Sequence, residues 1–195
     1  MKNILFVVSH LFSGSDELVK NLNENPRIDL KPGYFTYSNP LVLEHLVGLG
    51  HKLDNAAAIY GDHLLYNSYF SNKVFYQFSK FIYVIRHPKL VIGQIISQHE
   101  KYNELTAARY YELRLRRIYE MAYHTPNAVL LTWDHLKDGK GMHLIEEYLG
   151  LKNPVSIPEM IQDGEEISFD QQKQLDEYYE KYIYKFKQLN LRSVF

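Results

Sequence analysis

Near the start of this chain five apolar residues in a row, Ile4-Leu5-Phe6-Val7-Val8, lead within a few residues into Ser13-Gly14-Ser15. A continuous apolar run of this length suits a strand covered on both faces, as in a parallel sheet. The small residues break the strand. Asp16 to Leu22 then reads as a helix, with Leu18, Val19 and Leu22 on one side and Ser13 or Ser15 expected as its cap. A strand, a tight loop and a helix N-terminus make an anion site from backbone, because the orphan amides and the helix dipole both favour negative charge. Gly14 lets a backbone approach a phosphate closely, and Ser13 and Ser15 add hydroxyl donors. An ordinary turn with serine caps has the same signature, so the loop alone leaves both readings open.

Two more buried strands are expected at Phe81 to Ile85 and Ala128 to Thr132. Shorter strands are expected at Tyr34 to Tyr37 and Ala56 to Tyr60. Helices are expected at Pro40 to Leu49, over most of His63 to Ser79, after Pro88, at Thr106 to Tyr123, from Trp133, and at Met142 to Leu149, stopped by Gly150. Lys152 to Ile167 is loop-like, and Phe169 to Leu189 is a last amphipathic helix. Strands alternating with helices imply an α/β fold with a central, mainly parallel sheet flanked by helices in three layers. The 195 residues fit one domain, 1–195, with 168–190 a C-terminal helix packed on it.

Composition narrows the function classes. Lys plus Arg (22) nearly balances Asp plus Glu (23), so charge gives no argument for nucleic-acid or membrane binding. There is no cysteine, which excludes disulfides and thiolate metal sites. The run Ile4 to Val8 is too short for a signal-peptide core or a membrane span, so a cytoplasmic setting is expected. The 17 Tyr and 10 Phe are read as core and amphipathic surface rather than as stacking platforms.

A second candidate site lies at Arg86, at the end of the strand Phe81 to Ile85 and just before Pro88. Ligands of open α/β sheets bind at such strand ends, and a guanidinium is a planar fork for phosphate. An Arg paired with a carboxylate at the sheet edge is the plainer alternative. The Walker pattern is missing, since Ser15-Asp16 follows Gly14 and the next lysine is Lys20. A P-loop kinase or ATP or GTP hydrolase is therefore disfavoured.

Taken together, these segments resemble the sulfotransferase family, which uses 3′-phosphoadenosine 5′-phosphosulfate (PAPS) as donor. Phe12-Ser13-Gly14-Ser15-Asp16 is similar to the family's 5′-phosphosulfate loop. Arg86-His87-Pro88-Lys89-Leu90 is similar to its 3′-phosphate motif. Val129 to Leu136 and Glu147-Tyr148-Leu149-Gly150-Leu151 follow in the usual order. The resemblance spans roughly residues 3 to 151 and implies a P-loop-like fold. It also implies PAPS as donor, with 3′,5′-adenosine bisphosphate as product and no metal. Ser13, Gly14 and Ser15 would take the 5′-phosphosulfate, and Arg86 with Gln94 or Ser97 the 3′-phosphate. The chain departs from the pattern at Phe12, where a cation is usual, at Asp16, where a threonine is usual, and at Gln94, where a serine is usual. A carboxylate at Asp16 would repel an anionic donor at close range.

Sulfuryl transfer needs a base for the acceptor hydroxyl. His63 is the first candidate, as the resemblance places a histidine at a similar strand end; Asp62 is then placed to orient its ring. Glu44 is the alternative base. His45, His51, His87 and His99 have no metal-ligand spacing. Arg109, Arg114, Arg116 and Arg117 read as a solvated helix face partnered by Glu112 and Glu120. Leu175, Tyr178, Tyr179, Tyr182, Phe186 and Leu189 read as the stripe that packs the last helix on the domain, with a homodimer seam as the other option. The expected activity is sulfuryl transfer to a small-molecule, lipid or carbohydrate hydroxyl, the alternative being an inactive relative that binds a nucleotide or a partner.

Overall fold

The computed structural model describes residues 3–31, 59–65, 76, 77, 79–156 and 171–193. The strands among these are β1 (Asn3–Ser9), β2 (Ile28–Lys31), β3 (Ile59–Leu64), β4 (Lys80–Ile85), β5 (Val129–Thr132) and β6 (Arg192–Ser193). The helices are α1 (Ser15–Asn23), α2 (Pro88–Gln98), α3 (Glu104–Tyr123), α4 (Trp133–Lys137), α5 (Lys140–Leu149) and α6 (Gln172–Lys187).

One six-stranded sheet runs in the order β2-β3-β1-β4-β5-β6, and every neighbouring pair is parallel. β1 is central, and Leu5 to Val8 are fully buried. Its side chains alternate between two cores, as a pleat requires. Leu5 and Val7 join α1, α4 and α5 through Leu18, Leu22, Leu136 and Ile145. Phe6 and Val8 join α2, α3 and α6 through Ile92, Leu115, Ile118 and Phe186. The result is the three-layer α/β arrangement expected from the alternating pattern.

Local signals set the helix ends. α2 begins at Pro88, whose ring suits the first turn, with His87 as its cap. α3 opens with a reciprocal Asn103–Thr106 capping box. α5 ends at Gly150, whose φ of 67° lies in the left-handed region. The α6 stripe is consumed within the chain: Leu175, Tyr179, Tyr182 and Phe186 are buried against the domain.

Three expectations change. Where a strand is expected at Ala56 to Tyr60, β3 covers Ile59–Leu64, so His63 lies within a strand and does not open a helix. The polar triplet Gly61-Asp62-His63 looks like a breaker but is accepted inside the sheet. A Cβ at Gly61 would lie 1.5 Å from the Leu5 carbonyl oxygen, so only glycine allows this close approach to β1. β2 and β6 were not anticipated. β2 is a four-residue alternating segment two positions after Pro26, and β6 has two residues. The expected strand at Tyr34 to Tyr37 and helix at Pro40 to Leu49 lie outside the described residues, as does most of the stretch to Ser79 and of the loop beyond Ser156.

From β1 the chain builds β2 and β3 on one side, then crosses to β4 on the other. The carboxyl ends of β1 and β4 therefore flank the switch point where open α/β sheets hold ligands. No helix among the described residues is long and apolar enough to cross a membrane.

Candidate functional site

The β1–α1 loop does not use its serines as caps. Gly14 is the N-cap of α1, at φ 86°, and no side chain caps the helix. The first intrahelical bond runs from the Leu18 amide to the Gly14 carbonyl, leaving the preceding first-turn amides outside the helix's own ladder. With Gly14 left-handed, the serine hydroxyls turn under the loop. Ser13 Oγ donates to Ser15 Oγ at 2.9 Å, and Ser15 Oγ meets Ser9 Oγ at 2.6 Å. Both Ser15 and Ser9 then meet the ring of His63: Nε2 is 2.8 Å from Ser15 Oγ and 3.0 Å from Ser9 Oγ.

Parallel pairing of β1 with β3 makes this possible, since it sets His63 beside Val7 and one step below the loop. His63 is only 1% exposed. Its Nδ1 lies 3.4 Å from an Asp16 carboxylate oxygen, while Asp16 itself is 57% exposed. Asp62 does not orient the imidazole. It stands on the opposite face of β3, and its Oδ1 accepts from the His63 backbone amide at 2.7 Å. Burial pushes the Asp62 carboxyl up to about 8, against the pull of that amide bond, so it keeps its proton at neutral pH.

Arg86 supplies the charge. It is buried at the end of β4, and its Nη1 donates to the Phe12 carbonyl at 3.1 Å and to Gln94 Oε1 at 3.2 Å. Phe12 sits at φ 56°, a strained setting for a bulky residue. The Arg86 guanidinium lies 5.1 Å from the centre of the Trp133 ring, and Trp133 in turn packs on Gly14. A Cβ at Gly14 would come within 2.0 Å of that ring. His10 fixes the Arg86 backbone: its Nε2 accepts from the Arg86 amide at 2.9 Å, and its Nδ1–H donates to the Leu11 carbonyl at 2.8 Å. Burial, helped by Arg114 and Arg86, lowers the His10 ring to about 4, so it is neutral. The Tyr111 hydroxyl donates to the Arg86 carbonyl at 2.7 Å.

Ser13, Gly14, Ser15, His63, Arg86 and Gln94 thus gather at the carboxyl ends of β1, β3 and β4. Ser97 does not join them in the same way. It is exposed, and its hydroxyl donates to the Gln94 carbonyl of its own helix. Glu44, His45 and His51 lie outside the described residues. Arg114 is not on a solvated face. It is buried, with Nε donating to the Ser9 carbonyl at 2.7 Å and Nη2 to the Leu64 carbonyl. Desolvation lowers it to about 10, which leaves it charged at neutral pH. Arg116 does face solvent with Glu120, as expected, whereas Arg117, paired with the same carboxylate, is only 17% exposed. Among the described residues no three His, Asp or Glu side chains converge as metal ligands.

Ser9, His10 and Trp133 were not among the expected site residues, and Arg114 was expected on a solvated face. One signal was present: Ser9-His10 follows the apolar run directly, and polar residues at the end of a buried strand face the ligand edge. Arg114 and Trp133 carry no such mark, because only tertiary contacts define their roles. No protein-family model matches this chain, and no curated protein matches it at a significant level.

Proposed function

We propose that this protein transfers a sulfuryl group from PAPS to a hydroxyl of a small-molecule, lipid or carbohydrate acceptor. One observation carries the reading above others: Arg86, at the end of β4, reaches back to the Phe12 carbonyl of the β1–α1 loop. Two anion-binding elements, a helix N-terminus and a guanidinium, are therefore joined at one switch point, which suits a nucleotide with two separate phosphate groups.

The donor would bring the sulfur–oxygen bond that breaks. Amides of the loop Ser13-Gly14-Ser15 and of the start of α1 would hold the 5′-phosphosulfate, with the two serine hydroxyls bracing the loop from beneath. Arg86 with Gln94 would hold the 3′-phosphate. His63 would accept the acceptor's proton at Nε2 as general base. Amides and the α1 dipole would stabilise the charge that grows on the leaving phosphate. Asp16 faces His63, so its carboxylate is engaged with the ring beside the loop. A cytoplasmic setting fits this donor chemistry.

A test uses sulfur-labelled PAPS with a panel of hydroxylated acceptors. Label transferred to an acceptor by the wild type, and lost with His63→Gln, supports the reading. Preference for ATP with magnesium would move the protein to the kinases. A second reading, an inactive nucleotide-binding or interaction protein, draws on Trp133, whose ring closes directly on Gly14 where a phosphate loop is usually open.

A further inference from the structure

Asp16 is an exposed carboxylate on the first turn of α1, yet it reaches the buried ring of His63 at Nδ1. The other nitrogen, Nε2, faces two hydroxyls, Ser9 Oγ and Ser15 Oγ. A hydroxyl can donate or accept by rotating, so these two serines leave the imidazole tautomer undetermined. A carboxylate only accepts. Standing 3.4 Å from Nδ1, the Asp16 carboxylate therefore favours that nitrogen for the single proton of the ring's neutral form.

We infer that Asp16 is a positioning residue: it keeps the His63 proton on Nδ1 and so turns the Nε2 lone pair toward Ser9, Ser15 and the β1–α1 loop. The order is carboxylate, imidazole, hydroxyl, the logic of a nucleophile's base held by a third group. The other ionisable groups near the ring fit the assignment less well. Asp62 is protonated and bonded to the His63 backbone. Glu17, on the same turn as Asp16, is half-buried and interacts with His63 only at longer range, and burial raises it toward its neutral form.

The inference deepens the proposed sulfuryl transfer and rests on it for its catalytic meaning. In that reaction the acceptor oxygen bonds to sulfur and the bond from sulfur to the phosphate oxygen breaks. The electron pair leaves with 3′,5′-adenosine bisphosphate, and the acceptor proton ends on His63 Nε2. A ring protonated on Nε2 could not take it.

Long-range 15N–1H NMR of the full chain without ligand reads the tautomer directly. The wild type should show Nδ1–H alone. Asp16→Ala, a change at an exposed position, should populate Nε2–H. Asp16→Glu should restore the wild-type signal, and Glu17→Gln should leave it unchanged. The second readout is PAPS cleavage to sulfate with water as acceptor. Asp16→Ala should lower kcat about tenfold, a fraction of what a general base contributes, with no rise in KM. The wild-type tautomer persisting in Asp16→Ala, or a shift caused by Glu17→Gln in its place, overturns the inference. So does unchanged kcat in Asp16→Ala. Failure of the proposed function looks different: the tautomer still responds to Asp16→Ala, but the wild type neither binds 3′,5′-adenosine bisphosphate nor cleaves PAPS.

Discussion

Two buried histidines border the same loop, and they make opposite kinds of contact. His10, just past β1, spends both ring nitrogens on backbone, one on the Leu11 carbonyl and one on the Arg86 amide. His63, on β3, spends neither nitrogen on backbone; its partners are Ser9, Ser15 and the exposed Asp16. A ring bonded to main chain is a strut, since its partners cannot rotate away. A ring bonded to hydroxyls and a surface carboxylate can exchange partners without disturbing the fold. Burial is nearly the same for the two, so burial alone does not mark the chemical residue.

The largest effect should separate the pair. His63→Gln should cut sulfuryl transfer by about 10²-fold or more, the usual weight of a general base, while thermal unfolding moves little. His10→Ala should do the reverse, lowering Tm by many degrees, because it strands the buried Arg86 amide and the Leu11 carbonyl. If His10→Ala unfolds at the wild-type temperature, the strut reading of His10 is wrong.

Next in size is the seal above them. Gly14→Ala drives a methyl into the Trp133 ring and forces a left-handed alanine, and should cost about 3 kcal/mol in urea unfolding. Trp133→Leu in the same chain should return part of that cost, and strict additivity in the double-mutant cycle would refute the contact.

The acid side of stability tests His10, whose window overlaps those of His135 and Asp62. Its folded value, about 4, lies below the ordinary 6.5. Between those values the unfolded chain binds a proton that the native state does not, so stability is full above pH 6.5 and falls toward pH 4. The loss attributable to His10 is about 3 kcal/mol at pH 4. His10→Asn should flatten this limb even though it lowers stability throughout. Asp62 acts on the other side. Its native carboxyl, raised to about 8, keeps a proton that the unfolded chain releases near pH 4, so its contribution falls between about pH 4 and 8. Asp62→Asn should raise Tm modestly at pH 8 and have little effect at pH 4.

Much of this frame was legible in sequence. The three apolar runs, Pro88 at a helix start, Gly150 at a helix end and the α6 stripe are local signals, and local signals survive folding. The site was legible only by residue type. Ser13, Ser15, His63 and Arg86 could be named, but the inward turn of the serine hydroxyls depends on Gly14 being left-handed. The meeting of His63 with the loop depends on the β1–β3 register. Asp16 looked like a repulsive charge because its partner is 47 positions away in the chain and adjacent only in space. Arg114 looked like part of a solvated face for the same reason: the helix period places it, but only the fold supplies the Ser9 and Leu64 carbonyls it binds.

The claim at the centre is that the ends of β1 and β4 form one two-phosphate site. Calorimetry with 3′,5′-adenosine bisphosphate addresses it without needing the acceptor. The wild type should bind saturably at one site. Arg86→Ala should abolish binding, and Arg86→Lys, which keeps the charge but loses the planar fork, should weaken it. No heat of binding from the folded wild type at millimolar ligand, or equal binding by a folded Arg86→Ala, would contradict the account.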